Sequence, residues 1–147
     1  MSKEKITIQK KIAAPVDVIW KALTSASEMK NWYFAMEKFI PEPGFCFRMF
    51  GEKNGKFFPI RCCIIQAEKN KLLTYSWSYE EFPVETLLRF ELEEDGKKTL
   101  VRVTHSGLDA FPKEMEHLDS KHHKESWNNI IGKHLKTYAE MKAKTQD

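Results

Sequence analysis

Between Ser120 and Ala143 the apolar residues Trp127, Ile130, Ile131, Leu135, Tyr138 and Met141 recur at helical spacing and share one stripe. Lys121, Lys124, Asn128, Lys136 and Glu140 occupy the other side. A helix of about 24 residues is about 36 Å long, enough to cross a small domain. It needs a broad apolar surface to lie on, and most of the chain before it alternates as strands do.

Ile6, Ile8 and Ile12 alternate with Thr7, Gln9 and Lys11, which predicts a first strand over Lys5 to Ile12. Pro15 suits the first turn of a helix over Val16 to Leu23. Ser27 can cap a short second helix, Glu28 to Trp32. A meander of strands is predicted next. Tyr33 to Phe39 is a candidate, followed by Phe45 to Phe50 and Phe57 to Glu68, the latter with Pro59 marking an edge or bulge. Leu73 to Tyr79 has the cleanest period of two: Leu73, Tyr75, Trp77 and Tyr79 point inward, and Thr74, Ser76 and Ser78 outward. Val84 to Glu94 and Thr99 to Ser106 flank the hairpin turn Asp95-Gly96 and direct Leu88, Phe90, Leu92, Val101, Val103 and His105 inward. Gly107 to Asp119 is a long connection, and Asp119 or Ser120 caps the last helix. The expected fold is α+β: a curved antiparallel sheet wrapped around a long C-terminal helix, with two short helices after the first strand.

Composition changes this picture little. The 147 residues suit one domain, with an ordered core over about residues 4–142. A net charge of +3 falls short of a nucleic-acid footprint, so no nucleic-acid partner is expected. No run reaches membrane-spanning length and the first residues show no apolar signal core, so the expected setting is cytoplasmic. Cys46, Cys62 and Cys63 are odd in number and two are adjacent, which argues against a disulfide framework and for a reducing compartment. Cys62 and Cys63 should point to opposite sides of a strand, with no basic neighbourhood to activate either thiol.

The aromatic content, 12% of residues, adds a candidate site. Trp32, Phe34, Phe47, Met49, Phe58, Tyr75 and Trp77 are expected to line a pocket between sheet and helix. Phe90, Val103, His105, Leu108, Phe111, Trp127 and Ile131 complete it. Such pockets are mostly apolar with a few aimed polar groups, here His105 and Tyr75. The competing reading is a solid core. His105 can be a bonded core histidine or an acid–base group partnered by Asp109 or Glu80-Glu81. His117, His122, His123 and His134 do not converge as metal ligands should, so no metal is expected. No phosphate loop, nucleophile elbow or dinucleotide fingerprint is present; no cofactor and no catalytic residue is assigned.

Several stretches resemble the START-like (Bet v 1-like, SRPBCC) superfamily, in its branch of homologues of the activator of the 90-kDa heat-shock protein ATPase. They are Ile12 to Thr24 with its Ala-Pro-x-x-x-x-Trp spacing, Trp32, Leu73 to Trp77 with Leu-x-Tyr-x-Trp, Thr99 to Leu108 ending Thr-His-Ser-Gly-Leu, and Trp127. The family often places a leucine seven residues after that tryptophan. Here His134 stands there and Leu135 follows, both expected on the inner face. The resemblance implies one helix-grip domain over residues 1–147, a cavity between sheet and helix, and a small hydrophobic or aromatic ligand. It also implies two alternatives: a chaperone-associated interaction module of the stress response, or a cyclase- or hydrolase-like enzyme using His105. A monomer or weak dimer is expected.

Overall fold

The computed structural model describes residues 5–33, 36, 38–53, 56–79, 82–107 and 120–145. Strand β1 (Lys5–Ile12) leads into α1 (Val16–Thr24) and α2 (Ala26–Met29). Strands β2 (Cys46–Lys53), β3 (Lys56–Glu68), β4 (Leu72–Tyr79), β5 (Phe82–Asp95) and β6 (Lys98–Ser106) follow. The C-terminal helix comprises α3 (Ser120–Asn129), a π-helical turn (Ile130–Leu135) and α4 (Lys136–Thr145). All strands are antiparallel neighbours in one sheet of order β1-β6-β5-β4-β3-β2.

The period-of-two positions account for the core. Ile6, Ile8 and Ile12 of β1, Ile60, Cys62 and Ile64 of β3, and Leu88, Phe90 and Leu92 of β5 are all buried on one face. Trp127, Ile131, Leu135, Tyr138 and Ala139 of the terminal helix lie in the same cluster. The Ala-Pro corner is tied down from both directions. The Ala13 N–H donates to Glu140 Oε2 at 2.8 Å, and Ala14 C=O accepts from the Thr99 hydroxyl at 2.8 Å. Pro15 stands just before α1, and its carbonyl receives the Val18 and Ile19 N–H groups.

Several expectations change. The described residues between 33 and 40 form no strand, so the sheet has six strands with β1 included. Helix α2 begins earlier than the sequence suggested, after Ser25 rather than Ser27. Pro59 is on neither edge strand. It lies one residue beyond the first β3–β4 rung, Ile60–Tyr79, and the irregular register falls at Ile64 to Gln66.

The terminal helix departs from simple α geometry. One extra residue in its wide turn shifts the phase of everything after it by about 100°. Leu135 and Ala139 therefore face the sheet, while His134 and Met141 are exposed. The tryptophan-to-leucine spacing of eight rather than seven is absorbed there.

The cysteine expectation is overturned. Cys46 and Cys63 oppose one another across β2 and β3, with Cα atoms 4.0 Å apart, and are joined by a disulfide. Sequence spacing carried no sign of it because strand register, not separation along the chain, brings them together. Cys62 and Cys63 point to opposite faces as expected; Cys62 is the inward one and remains a buried free thiol.

Candidate functional site

Aromatic side chains meet where the concave face of the sheet approaches the helix. Tyr33 stacks on Trp32 with ring centroids 4.9 Å apart and leans on Trp127 at 6.1 Å. Trp127 in turn meets Phe90 at 6.0 Å and Trp77 at 5.7 Å, both edge-on. Tyr75 joins Phe90 at 5.9 Å and Phe47 at 5.2 Å, and Phe39 closes the row against Phe47 at 4.9 Å. Offset and edge-on contacts at these separations are the favourable arrangements for ring quadrupoles.

Two polar devices sit in this apolar setting. In the first, Trp127 Nε1–H donates to His105 Nδ1 at 3.1 Å, and His105 Nε2 lies 2.7 Å from Thr86 Oγ1. An indole nitrogen is only a donor. Nδ1 must therefore be the acceptor, Nε2 carries the proton, and Thr86 accepts it. The Thr86 hydroxyl then donates to the Trp77 carbonyl at 2.8 Å. Every polar atom of the chain is used. Both ring nitrogens are thus hydrogen-bonded inside the core, the arrangement expected of a bonded core histidine. Asp109, Glu80 and Glu81, the partners considered for it, lie outside the described residues.

In the second device, the hydroxyls of Tyr33 and Tyr75 are 2.9 Å apart. Burial holds both well above the ordinary tyrosine value of 10.0, with neighbouring Tyr and Cys62 groups adding to it for Tyr33. Tyr79 is pushed up to about 12, again by burial, partly offset by its bond to Trp77. Burial also raises the Cys62 thiol and so favours its protonated form. At neutral pH the inner face is therefore lined by uncharged donors and acceptors.

Of the residues expected to line a pocket, Trp32, Phe47, Met49, Tyr75, Trp77, Phe90, Val103, His105, Trp127 and Ile131 are buried here. Phe34, Leu108 and Phe111 lie outside the described residues, as does the side chain of Phe58. So do His117 and the side chains of His122 and His123. Tyr33, Phe39, Cys62 and Thr86 were not among the expected residues. Thr86 shares the inward parity of Leu88 and Phe90, a signal present in the sequence; Tyr33 and Phe39 lie in an irregular segment and had none. A cleft of about 260 Å³ lies elsewhere, lined by Lys71, Glu91, Leu92, Glu93, Leu100 and Arg102. Its charged lining does not suit an apolar guest. Among the described residues no group of His, Cys, Asp or Glu is placed to hold a metal ion, and no helix is long and apolar enough to cross a membrane.

The family model for the activator of Hsp90 ATPase homolog 1-like proteins matches residues 13–140. The chain belongs to that family. It is thereby a member of the Bet v 1-like, SRPBCC superfamily, and the arrangement of six strands, two short helices and a long terminal helix is its helix-grip fold. No curated protein matches the sequence. Protein MLL2253 from Mesorhizobium loti is 22% identical with a TM-score of 0.76, covering 92% of this chain and 96% of its own. The Aha1 dimer from Colwellia psychrerythraea is 21% identical with a TM-score of 0.74, covering 94% and 97%. CalU16 from Micromonospora echinospora is 21% identical with a TM-score of 0.67, covering 96% and 84%. At these identities the likeness concerns the fold. The family's Ala-Pro corner and Trp127 have visible structural work here: one is bonded to Glu140 and Thr99, the other to His105.

Proposed function

We propose that this domain binds a small hydrophobic or aromatic molecule between the sheet and the terminal helix. The observation that carries the reading is the Tyr33–Tyr75 pair. Tyr33 comes from the segment after α2 and is half-buried, whereas Tyr75 is fully inside. Rotation of the one outer ring would open a floor made by Phe47, Phe90 and Trp127. It would also leave the Tyr75 hydroxyl to a ligand oxygen. Burial of flat apolar surface supplies roughly 25 cal/mol per Å² before the costs of ordering, and the hydroxyl sets orientation. His105 then serves by holding Trp127 and Thr86 in place. Chemical-shift perturbation with lipids and polyphenols tests this. Saturable shifts at the Trp127 indole and Tyr75 ring support it; shifts confined to the outer face of the sheet rule it out.

A second reading, association with an Hsp90-class chaperone, has support in the family's description and in the exposed Phe50, Ile65 and Leu87. An unchanged chaperone ATPase rate in the presence of the domain would dismiss it. For self-association we favour a monomer or weak dimer, the Colwellia relative having been solved as a dimer; sedimentation at graded concentrations measures this. We keep the cytoplasm as the compartment, on the support of the free Cys62 thiol; the Cys46–Cys63 bond argues the other way, since disulfides are rare there, and the redox state of that pair in acid-quenched cells decides between them.

A further inference from the structure

We propose that the guest of the inner face is a phenol bound in its un-ionised form, which takes the slot that the Tyr33 ring fills and leaves when it ionises. The inference rests on the binding reading above and adds which molecules qualify. Tyr33 is the pattern for the guest. Its ring stacks on Trp32 with centroids 4.9 Å and planes 15° apart, and meets Trp127 at 6.1 Å. Its hydroxyl lies 2.9 Å from that of Tyr75. The slot therefore fits a flat ring with an oxygen at its inner end. Tyr33 is half-buried and belongs to no helix or strand, whereas Trp32, Tyr75 and Trp127 are buried. One ring can thus be exchanged for another while the walls stay in place.

The charge of the guest follows from what surrounds the two hydroxyls. Among the described residues, the titratable groups acting on Tyr33 and Tyr75 are each other, Cys62 of β3 and Tyr79 of β4. All are acids that are uncharged at neutral pH and become anions if they ionise, so none attracts an anion. The facing residues of the other strands and of the terminal helix are Phe47, Phe90 and Trp127, all apolar rings. His105 has one lone pair, on Nδ1, and the Trp127 N–H occupies it. Glu28 of α2 is buried but already engaged: it accepts from the Tyr138 hydroxyl at 3.0 Å and lies 3.6 Å from Lys21 Nζ.

A phenolate guest would accept a stronger hydrogen bond from Tyr75 than a phenol does. One hydroxyl does not replace the shell of water that the anion loses on entry. The same core contains an internal example of that balance. Tyr79 has a hydrogen bond from Trp77 that favours its anion, yet burial wins and pushes its phenol from 10.0 up to about 12. A neutral phenol loses far less on entering, because Tyr75 both donates to and accepts from its hydroxyl as it does with Tyr33. Ionisation of the guest and its release are therefore linked, and the affinity falls as pH passes through the guest's own ionisation.

The test is a titration of the full chain with 4-nitrophenol, whose absorbance reports its own ionisation near neutral pH. Beside it stand 4-nitroanisole, which has no acidic proton, and 4-nitrobenzoate, an anion throughout. Between about pH 5.5 and 8.5 the dissociation constant of 4-nitrophenol should rise about tenfold or more, in step with its ionisation. Bound dye should ionise at a higher pH than free dye, the 4-nitroanisole constant should stay level, and 4-nitrobenzoate should not compete. Tyr33→Ala should tighten 4-nitrophenol several-fold, since no ring has to leave first; if that variant does not fold, the parent titration decides alone. A 4-nitrophenol constant that stays level, bound dye that ionises where free dye does, or 4-nitrobenzoate binding as tightly overturns the proposal and leaves the binding reading standing. A 4-nitroanisole constant that rises in parallel, or a folded Tyr33→Ala protein with no tightening, overturns it too. Binding of none of the three removes the binding reading and this inference with it.

Discussion

Trp127 of the terminal helix donates its indole N–H to Nδ1 of His105 on β6 at 3.1 Å, so one buried bond ties the helix to the sheet and sets the histidine tautomer. Trp127→Phe keeps most of the ring volume but leaves Nδ1 without that donor. A buried acceptor stranded in this way costs about 1–3 kcal/mol. Urea unfolding should show a loss of that size with an unchanged slope, and nitrogen-15 spectra of the parent should show the proton on Nε2.

The buried phenols predict an alkaline limit. Tyr33, Tyr75 and Tyr79 have folded-state values raised above the ordinary 10.0, so the native state retains protons that the unfolded chain releases. Their contribution is fully present below about pH 10 and is lost as pH climbs through the folded values. For Tyr79 that window runs from 10.0 to about 12. Urea midpoints measured upward from pH 9 should fall, and Tyr79→Phe should make the fall shallower. A midpoint independent of pH across that range would contradict the assignment.

Glu140 predicts the opposite limb. Burial raises its carboxyl, but the Ala13 N–H and Lys136 outweigh this and the net shift is downward from 4.5. The associated stability is present above that value and disappears as pH falls through the lower folded one. Glu140→Gln keeps an oxygen for Ala13 and loses the charge. It should flatten the acid side of the stability curve while costing about 0.5 kcal/mol at neutral pH, because the Lys136 pair is partly exposed.

The wide turn predicts an asymmetry between deletions. Removing Lys133 shortens the π-helical turn to α geometry and brings the leucine to seven residues after Trp127, with the inner stripe unbroken. Removing Thr137 instead rotates Tyr138 and Ala139 away from the core. The first should fold with native circular dichroism, and the second should lose several kcal/mol as buried groups become exposed. At Gly132 an added Cβ would come within 3.2 Å of Lys10 Cε. That is the flexible end of a long side chain, so Gly132→Ala should gain up to about 1 kcal/mol from helix propensity.

How far the sequence could be read differs from element to element. The inward positions of Leu73 to Tyr79 were legible one by one, since large and small side chains alternate without a break, whereas Ser76, expected outward, is buried against the Cys63 backbone. Tyr33 to Phe39 has equally apolar content but no strand among its described residues, because apolar residues also serve where a segment merely packs. Phe39 does so against Phe47. For the candidate site, inward parity identified Tyr75, Trp77, Phe90 and His105, while Tyr33 comes from an irregular segment that no period governs.

What the amino-acid order settled alone was local: which residues of each strand share a face, that a long amphipathic helix ends the chain, and which family these motifs belong to. Repeats of two and of about 3.6 residues are properties of a few neighbouring dihedral angles, so they survive reading in one dimension. Tertiary structure decided the rest. Register set Cys46 against Cys63 and Arg48 against Arg61, the wide turn chose Leu135 over His134, and helix-to-sheet docking gave His105 its partners. Each depends on residues distant in the chain, whose relative placement is set by the packing of the whole core.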